Sequence, residues 1–189
     1  MKNTKLILIA ITFILSYSVK AQEMTVSLSE SAVKWNAKKI TGEHFGTVAL
    51  KAGSLIVSNN AIIDGSFTID MNSIVCSDLE DPEWNKKLVG HLKSDDFFGV
   101  EKYPVVFLKN VKSGKFKENR AKVTADLTIK GTTHPISFDV LRSGKYYTTI
   151  IKVDRTQFNV RYGSGKFFDN LGDNMIDDVF TVEVKLKMN

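Results

Sequence analysis

An all-β domain of antiparallel strands carrying one short helix is what this sequence predicts, and three observations predict it. Apolar and polar residues alternate with a period of two through most of the chain, the spacing that places successive side chains on opposite faces of a strand. Turn-forming residues punctuate these runs at Ala52-Gly53, Asn59-Asn60, Ser113-Gly114, Gly131 and Ser143-Gly144. One stretch, opening at Asp81-Pro82 and closing near Ser94, departs from the alternation and repeats its apolar residues at helical spacing.

At the N-terminus, Lys2 and Lys5 precede an apolar run from Leu6 to Leu15, and Val19-Lys20-Ala21 supplies compact residues where a signal peptidase reads. Residues 1–21 are therefore expected to be a cleaved secretory signal, leaving 22–189 as one domain in the periplasm or outside the cell. The run is too short to cross a bilayer, no second stretch approaches its length, and no integral span is expected after cleavage. No cysteine follows the cleavage site, so a lipid-anchored form is not indicated. Lys2, Lys5 and Lys20 lie in the signal with no acid beside them, and without it the net charge of +5 falls to +2. The remaining lysines are scattered along the solvated faces of strands, which gives no reason to expect nucleic-acid binding. Cys76, the one cysteine, has no partner for an internal disulfide, so the fold must hold by packing.

The alternating segments come in order. Weaker ones occupy Met24–Leu28, Ser31–Ile40 and Gly46–Val57. A clear one follows, in which Ile63, Gly65, Phe67, Ile69 and Met71 share a face against Asp64, Ser66, Thr68 and Asp70. At the helix, Asp81 can cap free amides and Pro82 brings a preset φ, while Trp84, Leu88 and Leu92 form the apolar stripe. Ser94, Asp95 and Asp96 suggest a further turn, after which Phe97 and Phe98 lead to Pro104, so this region reads either as a plug or as a lid over a cavity. Val105–Val111 is the next weak strand. In Ala121–Ile129 and Val182–Met188 every second residue is apolar, and weaker runs at Ile136–Leu141 and Tyr146–Val153 stand between them. His134 is expected in the turn before Pro135, and Asp154-Arg155-Thr156 reads as a turn whose acid and hydroxyl bond nearby backbone.

About eight or nine such strands, each with one wet face, either close into a barrel or stack as a sandwich. An immunoglobulin-like sandwich usually brings a cysteine pair around a buried Trp, which a single cysteine does not supply, and this favours the barrel.

Catalytic signatures are missing. Ser164 in Tyr-Gly-Ser-Gly-Lys lacks the glycine two residues earlier that a nucleophile elbow uses, and Gly165-Lys166 lacks a phosphate loop. His44, His91 and His134 lie far apart in sequence, and Cys76 stands alone, so no metal site is expected. The order of Asp169, Asp173, Asp177 and Asp178 does not fit a calcium loop, and Asp95 and Asp96 are adjacent, an unattractive arrangement for paired-carboxylate chemistry. Neither an enzyme nor a cofactor is expected.

Five motifs in order resemble the YceI-like family: Trp35–Gly46 (WNAKKITGEHFG), Gly65–Asp70 (GSFTID), Gly90–Phe98 (GHLKSDDFF) with Lys102-Tyr103-Pro104, Leu127–Pro135 (LTIKGTTHP) and Val153–Phe158 (VDRTQF). The resemblance spans nearly the whole of 22–189. It implies an antiparallel eight-stranded, lipocalin-like barrel with a helix beside or over one end. It also implies an exported, non-catalytic envelope protein holding a long apolar chain, such as a polyisoprenoid or fatty amide. Burying hydrocarbon suffices to bind such a ligand, at about 0.8 kcal/mol per methylene. The reading is a carrier or sequestering protein for an isoprenoid-like lipid; the alternatives are a quinone or fatty-acid derivative as ligand, or a solid-core barrel serving as an envelope interaction or stress module. Phe67, Ile69, Met71, Phe107, Leu127, Ile129, Phe138, Val182 and Val184 are the candidate wall, joined by Trp35, Phe97 and Phe98; each reads equally as solid core. Lys38, Lys39 and His44, in an apparent bend after Trp35, are candidate head-group contacts. A homodimer is among the open oligomeric states.

Overall fold

The computed structural model describes residues 20–189, so most of the expected signal segment lies outside the described residues. Nine strands follow in order: β1 (Gln22–Thr25), β2 (Ala32–Lys39), β3 (Gly42–Ser58), β4 (Ala61–Cys76), β5 (Val105–Ser113), β6 (Arg120–Ile129), β7 (Thr132–Ser143), β8 (Tyr146–Asp154) and β9 (Val179–Lys187). They form one sheet in the order β1-β3-β2-β9-β8-β7-β6-β5-β4, and β3 also pairs with β4. The sheet therefore closes on itself, and the choice between barrel and sandwich is decided for the barrel. All of its pairings are antiparallel.

The ninth strand does not widen the ring. β1 pairs with the far half of β3 (Thr25↔Ser54), while β2 pairs with its near half (Val33↔Val48). Val26 also bridges to Met188 beyond β9. β1 and β2 thus lie along the same gap between β3 and β9, as one interrupted stave broken by a 3₁₀ turn at Leu28–Glu30. Eight staves result, a number whose interior either fills with side chains or holds a small ligand.

Tight hairpins link the staves. Asn59 and Asn60 both have positive φ (50° and 62°), as do Lys130 and Gly131 (50° and 75°), which suits two-residue loops matched to strand twist. Ala52-Gly53, by contrast, is not a turn: β3 runs straight through it, with a register shift between Leu50 and Ala52. A glycine is needed there because a Cβ on Gly53 would sit 2.2 Å from Cδ1 of Phe67, whose ring crosses the bare backbone. His134 likewise lies within β7 and not in a turn, edge-on to Phe158 at 5.3 Å.

Helix α1 (Pro82–Lys93) starts where expected, with the Asp81 carboxylate accepting from the Glu83 and Trp84 amides. Its inner face differs from expectation. Leu92 is buried and Leu88 and Val89 half-buried against Trp35, Met71, Ile74 and Phe97. Trp84 is 60% exposed, with Lys87 Nζ 4.4 Å from the ring centroid. The helix thereby covers one end of the barrel through its last two turns only. The opposite end is closed by Val26, Phe116, Tyr147 and Met188, packed with Leu55 and Ile62.

Candidate functional site

Between these two plugs runs a cavity of about 190 Å³. Its wall is built from the alternation that makes the strands. β6 contributes Val123, Leu127 and Ile129; β7 contributes Ile136, Phe138 and Val140; β9 contributes Phe180, Val182, Val184 and Leu186. β4 adds Phe67, Ile69 and Met71, β2 adds Val33, Trp35 and Ala37, and Phe97 and Phe98 close over the helix end. Trp35 is fixed in place by a hydrogen bond from Nε1 to the Val75 carbonyl at 3.1 Å.

Phe107 is the exception among the expected wall residues. Val106 and Leu108 line the cavity, and Phe107 points outward with Lys109 Nζ 4.8 Å above its ring. The phase of β5 comes from its neighbour: Leu108 lies opposite Phe67 and Val106 opposite Ile69, which leaves Phe107 facing Thr68 on the wet side. A second phase change occurs on β4, where a register shift turns Ile62 inward (2% exposed) and Ile63 outward (45%).

Polar lining is confined to Thr149, Arg155 and Asp177. Asp177 is exposed, so the cavity reaches the surface beside it. The end of β2 is stitched to this rim: the Asp177 amide donates to the Lys38 carbonyl at 2.9 Å, and Lys39 bridges to Ile176. Lys39 continues the inward parity of Val33, Trp35 and Ala37 but is exposed past the rim. Lys38 faces the other way, its Nζ 3.9 Å from Glu43. His44 does not line this cavity; its Nδ1 pairs with Asp78 at 2.8 Å.

Arg155, expected in a turn beside Asp154 and Thr156, has a larger role than that position suggests. Only 2% exposed, it donates from Nε to the Asp177 carbonyl, from Nη1 to those of Val160 and Tyr162, and from Nη2 to that of Ile176, at 2.8–3.0 Å. One guanidinium therefore gathers both ends of the excursion between β8 and β9 and sets the mouth. Burial pulls its pKa down while Asp178, Asp154 and Asp177 pull it back, and a guanidinium so placed stays charged. Nη2 lies 3.8 Å from Asp178 Oδ1, a buried oxygen with no hydrogen bond among the described residues.

Lys166 staples the same excursion, reaching Asp154 at 3.0 Å and Asp178 at 3.3 Å. Asp154 also accepts from the Thr156 amide and hydroxyl, the turn expected at this position. Burial raises the Asp154 pKa, but the Thr156 and Lys166 hydrogen bonds outweigh it and the net direction is down. A carboxyl depressed on folding contributes stability that is fully present above its unfolded pKa of about 3.9 and lost as pH falls through the folded value. Acid unfolding should therefore steepen below about pH 4, and Asp154→Asn should flatten that limb of the stability curve while lowering stability at neutral pH. Urea titrations at stepped pH check this; parallel curves for the two proteins would show that Asp154 carries no such linkage.

A second cluster lies apart from the cavity. Cys76 does not stand alone: its Sγ is 3.2 Å from Asp78 Oδ1, and Asp78 Oδ2 holds His44. His91 is packed edge-on against Phe97 and Tyr162, at 5.6 and 4.4 Å.

No curated protein matches the chain. BcnA of Burkholderia cenocepacia is similar in structure with a TM-score of 0.61 at 22% identity, covering 85% of this chain and 98% of that one. A polyisoprenoid binding domain from Saccharophagus degradans, implicated in plant cell wall breakdown, has a TM-score of 0.57 at 16% identity, covering 90% and 99%. A YceI protein of Campylobacter jejuni has a TM-score of 0.52 at 17% identity, covering 100% and 99%. Residues 17–188 match the family model of the YceI-like domain, and with the closed barrel, its helix and its apolar bore described, the chain belongs to the YceI-like family.

Proposed function

We propose that this protein binds the hydrocarbon part of a lipid inside its barrel, tail first, and carries or sequesters it without chemical turnover. One observation carries the reading: a continuous cavity of about 190 Å³ whose wall is apolar except for Thr149, Arg155 and Asp177. An engineered cavity of about 150 Å³ stays dry and takes up benzene, so a space of this size and lining favours hydrocarbon over water. Left empty it would cost about 4–5 kcal/mol at roughly 24 cal/mol per Å³, an expense a bound chain offsets. A packed bore acting only as an interaction module has no use for such a space.

The ligand class is isoprenoid-like, supported by the fold shared with the Saccharophagus degradans domain described as polyisoprenoid binding. Branched and unbranched chains both fit apolar walls, so quinones and fatty-acid derivatives are the competing ligands. Lys39, at the rim beside Asp177, offers a cation to an anionic or amide head group. Lys38 and His44, engaged by Glu43 and Asp78, are less free to do so. The signal-like residues 1–21 support export of this carrier to the periplasm or out of the cell.

Native mass spectrometry of gently purified protein, followed by lipid extraction, tests the proposal. The expected result is a retained apolar lipid of defined mass, released on denaturation. Repeated recovery of empty protein that takes up neither isoprenoid, quinone nor fatty-acid probes would sink it.

A further inference from the structure

We propose that His44, Cys76 and Asp78 form a site for a divalent metal ion of the zinc class, with three protein ligands and a fourth position open to solvent. One donor atom from each residue lies within 4.8 Å of the other two. Imidazole nitrogen, thiolate sulfur and carboxylate oxygen are the donors zinc takes in tetrahedral sites, and three of them with one place vacant is the pattern of its reactive sites. None of the three residues lines the lipid cavity, so the inference stands apart from the proposed lipid binding.

The fold builds this cluster from two strand ends. Gly46 pairs with Cys76, and a Cβ on Gly46 would come within 1.8 Å of the Val75 carbonyl oxygen, so only glycine lets the end of β4 pass this near to β3. The Phe45 amide donates to Asp78 Oδ1 at 2.7 Å, and the Ser77 amide donates to the Phe45 carbonyl at 2.8 Å. From the helix, Asn85 Nδ2 donates to the carbonyls of Cys76 and Leu79, which fixes the backbone behind the sulfur. The ligands are thus positioned by main-chain bonds that a metal would leave in place. The Phe45 amide on Asp78 is also the kind of outer support that ligating carboxylates receive.

Access and chemistry agree with this assignment. The His44 and Asp78 side chains are 30% and 16% exposed, so an ion can arrive from solvent, while Cys76 is buried beneath them. When the ion binds, the Sγ–H bond breaks, its proton leaves to solvent and an Sγ–metal bond forms. His44 ligates through a ring nitrogen that carries no proton. No electron is transferred, and metal binding is coupled to loss of the thiol proton. The competing account is a closed hydrogen-bond network in which Asp78 simply accepts from Phe45, His44 and Cys76.

Cobalt titration of the purified, reduced and metal-stripped protein separates the two. The expected result is a sulfur-to-cobalt charge-transfer band that saturates at one ion per chain and is removed by Zn²⁺. Cys76→Ser should abolish the band while leaving the far-UV dichroism unchanged. His44→Gln should lower Zn²⁺ affinity by more than the roughly 10–100-fold that losing an outer-shell partner costs. No band in the natural protein, or equal Zn²⁺ affinity with and without Cys76, would overturn the proposal. Should a variant fail to fold, the natural protein still decides: Zn²⁺, but not Mg²⁺, should protect Cys76 from alkylation, and equal alkylation with either ion would rule the site out.

Discussion

Arg155→Met is expected to destabilise the protein by about 3–5 kcal/mol, the range seen when one partner of a buried charged network is removed. The substitution keeps an unbranched side chain of similar reach but withdraws every donor. Four carbonyls, those of Val160, Tyr162, Ile176 and Asp177, then lose their partner at the rim. Each buried acceptor left unmet costs about 1–3 kcal/mol, and the excursion between β8 and β9 should open to hydrate them, which limits the total. Asp178, already short of a partner at Oδ1, loses the cation 3.8 Å away as well. For a domain of this size each kcal/mol lowers Tm by roughly 2–4 °C, so thermal melts should drop by roughly 6–20 °C. Arg155→Lys should recover little, because one ammonium cannot reach four carbonyls spread around a planar fork. Calorimetry on both variants measures this. A loss below about 1 kcal/mol for Arg155→Met would mean that the mouth is held by its other contacts, and the role assigned to the guanidinium would fall.

Why the bonds of Arg155 are hidden in the sequence, while those of its neighbours are not, follows from the range of the interactions. Asp154 and Thr156 bond each other across two residues, and a turn was legible there. The acceptors for Arg155 come from a stretch without periodicity, residues 160–177, whose path the chain reveals only once folded. Strand phase divides along the same line. In β6, Ala121, Val123, Ala125, Leu127 and Ile129 alternate with polar residues, so only one phase buries the apolar set, and all five are buried. In β5, Val105, Val106, Phe107 and Leu108 are apolar in succession, and nothing local says which pair faces in. Register against Phe67 and Ile69 decides it, and Phe107 goes outward. Trp84 shows a further limit: helical spacing puts it in line with Leu88 and Leu92, but the first turn of α1 has no barrel beneath it. His44 and Cys76 meet through pairing of β3 with β4, which no local ligand spacing could announce. The family resemblance supplied barrel closure, for which alternation alone had left a sandwich open.

Affinity for a homologous series of chains should rise about fourfold per methylene and then level off, because each buried CH₂ contributes about 0.8 kcal/mol until the cavity is full. The plateau measures the length of hydrocarbon held between the plug at Phe116 and Met188 and the aromatic pair Phe97 and Phe98. A ligand longer than the cavity must extend past the rim at Asp177 or push those rings aside, and in either case further carbons add less than the full increment. Val184→Trp shortens the bore from within. Val184 lines the cavity and packs against both the far plug and the middle of the wall, so an indole there takes space from the ligand. The variant should keep the fold, since the added ring enters a void and does not displace packed core, and its plateau should come several carbons earlier. Phe107→Trp enlarges a side chain on the outer face of the same barrel and should leave the series unchanged. Displacement of a fluorescent fatty-acid probe by alkyl and isoprenoid alcohols of increasing length gives both curves. If affinity in the natural protein does not depend on chain length, the hydrocarbon is not being bound along the bore. If Val184→Trp and Phe107→Trp behave alike, the ligand lies somewhere other than the space between the staves.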